Sequence, residues 1–131
     1  ETQLILPLFE EDTIEVFLAA AKGTPLPANL TPTGQSAITV VLAANGYPDL
    51  YDKGVPITLA ENLPEGVDVI HAGTKLDSKG NLETSGGRVL NIVAMAESAA
   101  KAFDKVYNAC NHKYFEKQYY RTDIGKTVPT H

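Results

Sequence analysis

Between Val67 and Ala96 the chain offers β-rich runs joined by connections too short to carry a helix. The run from Val67 leads into L-D-S-K-G-N-L-E, in which Asp77, Gly80 and Asn81 are turn residues between two short β segments. After T-S-G-G comes R-V-L-N-I-V-A-M-A, residues 88–96, a further β-rich run. Parallel neighbours need a crossover of about a dozen residues or more, usually a helix. Hairpin spacing restricts this region to antiparallel pairing.

Helical periodicity lies to either side. In E-E-D-T-I-E-V-F-L-A-A-A-K-G, residues 10–23, Asp12 and Glu15 stand at capping-box spacing. Ile14, Phe17, Leu18 and Ala21 recur on one helical face, and Gly23 supplies the left-handed cap. The acidic cluster Glu10–Glu11–Asp12 complements the helix dipole in this reading and is not a metal site. A second helix is predicted in E-S-A-A-K-A-F-D-K-V-Y-N-A-C-N-H, with Ala99, Phe103, Val106, Tyr107 and Cys110 along one stripe. Between the first helix and the β region, residues 24–34 carry three prolines and read as an extended connector. The run Q-S-A-I-T-V-V-L-A-A, residues 35–44, reads as a strand buried on both faces. A short strand is expected at Ile57–Ala60, and the tail from Lys113 shows no period. Strands at hairpin spacing flanked by two helices predict an α+β fold with a mostly antiparallel sheet, built as a single domain over residues 1–131.

Charge and cysteine usage narrow the function classes. A net charge of −5 argues against nucleic acid as partner, and no apolar run approaches the roughly 20 residues that span a bilayer. The lone Cys110 permits no intrachain disulfide; it reads as a buried structural thiol in a reducing, cytoplasmic setting. The opening Glu-Thr-Gln has neither an initiator Met nor a basic leader region, and is read as part of a longer polypeptide. His71, His112 and His131 are scattered, so neither a nucleophile–base pair nor a standard metal-ligand spacing emerges. His71 reads as a strand histidine hydrogen-bonded in place. Walker and G-x-G-x-x-G loops are also missing.

One stretch can hold an anion. In T-S-G-G-R-V, Gly86 and Gly87 leave backbone N–H groups unshielded and permit positive φ, while Thr84 and Ser85 add hydroxyls. Arg88 brings a planar fork suited to phosphate, and Lys75, across the predicted hairpin, adds a point charge at the same end of the sheet. A Gly-Gly bulge with Arg88 in a surface ion pair fits the same residues equally well.

The wider pattern resembles a known family. H-A-G-T-K at 71–75, T-S-G-G-R-V-L at 84–90, Y-R-T-D-I-G at 120–125, and A-A-N-G-Y-P at 43–48 followed by Lys53–Gly54 are similar to the C-terminal domain of glycinamide ribonucleotide synthetases (phosphoribosylamine–glycine ligases). The opening E-T-Q-L-I is similar to the end of that family's Arg-x-Gly-Asp-Pro-Glu-x-Gln signature. The resemblance implies the hybrid-motif C-terminal domain of an ATP-grasp ligase of purine biosynthesis, joining glycine to 5-phosphoribosylamine through a glycyl phosphate. It implies that ATP, magnesium and catalytic groups sit on an upstream ATP-grasp body of the same polypeptide, leaving this chain without metal ligands, cofactor or catalytic residues and inactive alone. By analogy with related purine enzymes, Lys75 and Arg88 would hold the ribosyl phosphate, with Ser85, Gly86 and Gly87 lending donors. Tyr47 is read as packing under a loop or touching ligand, and Arg121 and Asp123 as paired with each other or with the body. The ending K-T-V-P-T-H departs from the family's pattern. Two other classes fit parts of the sequence: a biotinyl or lipoyl carrier with Lys79 at its hairpin tip, though without the flanking methionines, and a non-catalytic docking domain.

Overall fold

The computed structural model describes residues 1–126. Three strands form the central sheet in the order β1 (Ser36–Ala43), β5 (Arg88–Ala96), β2 (Val67–His71), both pairings antiparallel. The hairpin β3 (Thr74–Leu76) and β4 (Leu82–Thr84) forms a separate two-stranded ladder. Its turn is held by Asp77, whose carboxylate accepts from the N–H groups of Lys79 and Asn81 at 2.8 Å each. The fold is α+β and mostly antiparallel.

One face of the sheet carries helix α3 (Ala99–Cys110), which Ser98 caps by accepting from the Lys101 N–H. Ile38, Val40 and Leu42 of β1 and Leu90, Ile92 and Ala94 of β5 are buried with Ala102, Val106, Ala109 and Cys110 of that helix. The buried stripe is thus displaced from the predicted one: Phe103 and Tyr107 flank the core, half-buried, their ring centroids 4.6 Å apart. On β1 burial alternates from Ala37 to Leu42, with Ala37, Thr39 and Val41 only half-buried, and Ala43 at the strand end is buried as well. A strand buried on both faces is not what forms, because α3 covers a single face. The strand expected at 57–60 does not form either. Pro56 lacks an N–H and makes one isolated bridge to Glu83, and Ile57 follows it into the core.

The tail from Lys113, without sequence period, is anchored by aromatics. Tyr114 and Phe115 are buried, and Tyr119 exchanges two backbone hydrogen bonds with Ala43, of 2.7 and 2.9 Å, at the outer edge of β1. Residues 127–131, with most of the divergent ending and His131, lie outside the described part.

The N-terminal arm comprises α1 (Thr2–Ile5), a 3₁₀ turn (Leu6–Leu8) and α2 (Thr13–Lys22). Helix α2 forms as its caps dictate: Asp12 accepts from the Ile14 N–H at 2.9 Å, and Gly23 closes the helix with φ of +67°. Its apolar face, however, is uncovered, with Ile14 72% and Phe17 58% exposed. Among the described residues no helix is long and apolar enough to cross a membrane.

Burial pushes the Cys110 thiol up to about 12. Its folded pKa therefore lies above the unfolded value, and the contribution to stability is lost as pH rises from about 9 toward 12. At pH 8 the native thiol is expected to resist a disulfide-exchange reagent and to react fully in guanidinium. A Cys110→Ala variant should lose less stability than wild type across that alkaline range, as followed by urea unfolding.

Candidate functional site

The site begins with an irregularity in the central ladder. Leu42 pairs with Leu90, but the next residue of β1, Ala43, pairs with Arg88, so Val89 is an extra residue on β5. In a regular strand Arg88 would share the face of Leu90 and Ile92, under α3. A bulge reverses that alternation and re-aims the side chain. Arg88 accordingly lines an open cleft of about 610 Å³ on the opposite face, with Val41, Tyr47, Gly73, Asn91 and Gln3. It also borders a smaller, largely apolar cavity of about 230 Å³ beside Tyr119, Tyr120 and Ile124.

The glycines serve close approach. Gly73 N–H donates to the Arg88 carbonyl at 2.7 Å, and a Cβ on Gly73 would stand 2.7 Å from the Gly86 Cα. A Cβ on Gly87 would overlap the Tyr47 ring. Tyr47 is itself tied in: its N–H donates to the Ala44 carbonyl at 3.1 Å, while the Ala44 N–H reaches the Gly87 carbonyl at 2.8 Å. The positive φ foreseen for Gly86 and Gly87 is not used. Crowding requires Gly87 instead, while at Gly86 a Cβ would stand 3.1 Å from the Gly73 Cα.

The predicted phosphate ligands occupy different settings. Arg88 and Gly87 line the cleft. Ser85 and Gly86 direct their backbone N–H groups at the Gly73 carbonyl, at 2.7 and 3.2 Å, so those two donors are engaged within the chain. The Thr84 hydroxyl is buried and accepts from the Val55 N–H at 3.1 Å. Lys75 is on β3, directly across from Glu83, and forms an ion pair with it at 3.1 Å. The sequence placed Lys75 on one continuous strand from residue 69; the chain instead breaks at Ala72–Gly73, where both N–H groups turn to β5.

Other singled-out residues have structural partners. His71 Nδ1 lies 3.0 Å from the Thr74 hydroxyl. Arg121 and Asp123 form a two-pronged pair at 2.9 and 2.7 Å, and this bonding holds the Asp123 carboxyl below the usual range. The Tyr107 hydroxyl clamps the same loop, donating to the Arg121 carbonyl and accepting from the Ile124 N–H. Lys79 sits at the exposed hairpin tip. Among the described residues no three His, Cys, Asp or Glu side chains converge as a metal site would require. Sequence reasoning passed over Gln3 and Asn91, although a lone amide inside R-V-L-N-I-V was a visible signal.

Comparison with known proteins adds the family. Residues 37–127 match the family described as "Phosphoribosylglycinamide synthetase, C domain". The chain belongs to that family. It is 43% identical over 127 residues to a phosphoribosylamine–glycine ligase of Chlorobaculum tepidum, covering 95% of this chain and 30% of the relative. It is 43% identical over 130 residues to a bifunctional purine biosynthetic protein of Saccharomyces cerevisiae, covering 95% of this chain and 16% of that one. The crystal structure of the phosphoribosylamine–glycine ligase of Thermotoga maritima superposes with a TM-score of 0.76 at 34% identity, over 93% of this chain and 29% of that protein. This member of the synthetase C-domain family thus spans less than a third of the length of these relatives.

The fit of Tyr47 over Gly87 can be measured. Gly87→Ala is expected to destabilise the chain by about 1–3 kcal/mol through overpacking. Combined with Tyr47→Ala the two effects should fall well short of additive in a urea-unfolding double-mutant cycle.

Proposed function

We propose that this chain is the substrate-closing part of a phosphoribosylamine–glycine ligase, and that its Arg88 cleft receives the phosphate of 5-phosphoribosylamine. The observation carrying this reading is the bulge at Val89, which takes the Arg88 fork from the face under α3 to an open cleft. A guanidinium presented on a rigid strand beside backbone-thin glycines suits bidentate phosphate binding. Lys75 is the auxiliary cation: its ammonium is exposed although its partner Glu83 is half-buried, and the long side chain can leave that carboxylate for a phosphate. Ser85, Gly86 and Gly87 then act chiefly by shaping the loop that presents Arg88, with Gly87 on the cleft itself.

The reaction assigned to the complete protein joins glycine to 5-phosphoribosylamine at the expense of ATP, in the purine pathway and in the cytoplasm. ATP and magnesium supply carboxylate activation on an upstream ATP-grasp body of the same polypeptide. The present residues bind and orient the amine; they take no part in phosphoryl transfer, and the chain alone is inactive. Such positioning is worth up to roughly 7–11 kcal/mol in ideal cases. The uncovered apolar face of α2 supports a same-polypeptide body, since Ile14 and Phe17 otherwise face water. The match to the C-domain family begins only at residue 37, beyond this arm.

In the full-length ligase, Arg88→Ala is expected to raise the KM for phosphoribosylamine about 10- to 100-fold, as for loss of a charge-assisted hydrogen bond. The KM for ATP should change little in the same steady-state assay. An unchanged KM for phosphoribosylamine contradicts the phosphate assignment.

A further inference from the structure

Asn91 is a polar residue in the middle of an apolar strand. It lies on β5 between Val41 of β1 and Ile70 of β2, and only 8% of its surface is exposed. Among the described residues none of the hydrogen bonds uses its carboxamide, although its neighbours on the ladder are all backbone-paired. The carboxamide is not among the fully buried polar atoms left without a partner, so the unengaged amide opens to the cleft, where an aliphatic residue of similar volume would serve the sheet as well. The sheet does not need an asparagine here.

Its position suggests what does. Asn91 sits where the Arg88 cleft meets a second cavity of about 460 Å³ that reaches toward Ile70 and His71. Gln3 of the N-terminal turn borders both cavities as well. Two carboxamides therefore stand beside one guanidinium. Arg88 offers donors only, whereas the Asn91 carboxamide offers both a donor and an acceptor, and Gln3 adds its amide donor while its Oε1 accepts from the Glu1 ammonium at 3.3 Å. A hydroxyl group, which also donates and accepts, is the complement of that arrangement, and an anion alone is not.

We infer that Asn91, with Gln3, forms the hydroxyl-recognising subsite of the cleft and takes a ribose hydroxyl of the phosphorylated sugar anchored at Arg88. This rests on the reading of the Arg88 cleft as the ribosyl-phosphate site. The bulge then has a second consequence, because it puts the cation and the amide on the same face, three residues apart in sequence. The amide then selects a hydroxylated ligand over a plain alkyl phosphate.

The test uses the full-length ligase with two competitors of phosphoribosylamine, ribose 5-phosphate and pentyl phosphate, and reads their inhibition constants. Wild type should prefer ribose 5-phosphate. Asn91→Leu is expected to reduce that preference about tenfold while leaving pentyl phosphate within about twofold, with a Tm at or above that of wild type. Asn91→Ala, which adds no bulk, should lose the preference in the same way and decides the matter if the leucine variant folds poorly. An unchanged preference ratio in the folded variants overturns the hydroxyl subsite. Arg88→Ala separates the two levels: it should weaken both competitors alike. If it weakens neither, the phosphate reading fails and the subsite with it; if it weakens both while the Asn91 variants keep the ratio, the subsite alone fails.

Discussion

The offset of one residue between β1 and β5, at Leu42–Ala43 against Arg88–Leu90, governs what the rest of the molecule can do. Below it the ladder is regular, and β5 buries Leu90, Ile92 and Ala94 against α3. At the offset the alternation reverses, and a cation that would face the apolar layer emerges beside Asn91. Burying an unpaired guanidinium under α3 would cost several kcal/mol. The bulge removes that cost and creates the cleft in one step. It is held from both sides: Ala72 and Gly73 donate to the Val89 and Arg88 carbonyls at 3.0 and 2.7 Å, and Ala44 donates to Gly87 at 2.8 Å.

Crowding around this point accounts for the residues near it. Gly73 and Gly86 are in backbone contact, and Gly87 lies under the Tyr47 ring. At Gly73 and Gly87 these approaches exclude a side chain, so the T-S-G-G-R segment is shaped by packing before any ligand arrives. Regular pairing of β2 with β5 ends at His71, where the consecutive N–H groups of Ala72 and Gly73 both bond to β5, and the following residues start a new ladder with β4. Lys75 is thereby paired with Glu83, on a hairpin that belongs to a different sheet from Arg88. The two cations differ accordingly: Arg88 is aimed into the cleft by β5, whereas Lys75 is on β3 and paired across its ladder with Glu83.

Much of this was legible in the residues. Asp12 and Gly23 bound α2, and Asp77, Gly80 and Asn81 make the hairpin, because caps and turns depend on local chemistry. The antiparallel arrangement followed from connection lengths, and the segments 71–75, 84–90 and 120–125 pointed to the family that residues 37–127 match. What was not legible depends on pairing across the sheet. Nothing in R-V-L-N-I-V states that Val89 is an extra residue, since bulges are defined by the partner strand. The strand break at Gly73, the one-sided burial of β1 and the engagement of the Ser85 and Gly86 donors are all non-local in the same sense. The aperiodic tail concealed Tyr114 and Phe115, which enter the core without a repeating pattern to announce them.

The proposed phosphate site depends on Arg88, which the bulge turns outward into the cleft. The most direct test is diffraction from crystals of the full-length ligase with ribose 5-phosphate bound. The account predicts the phosphate within hydrogen-bonding distance of the Arg88 guanidinium, in the cleft it shares with Tyr47 and Asn91. A phosphate seated elsewhere, with Arg88 in contact with solvent or a protein carboxylate, would contradict it.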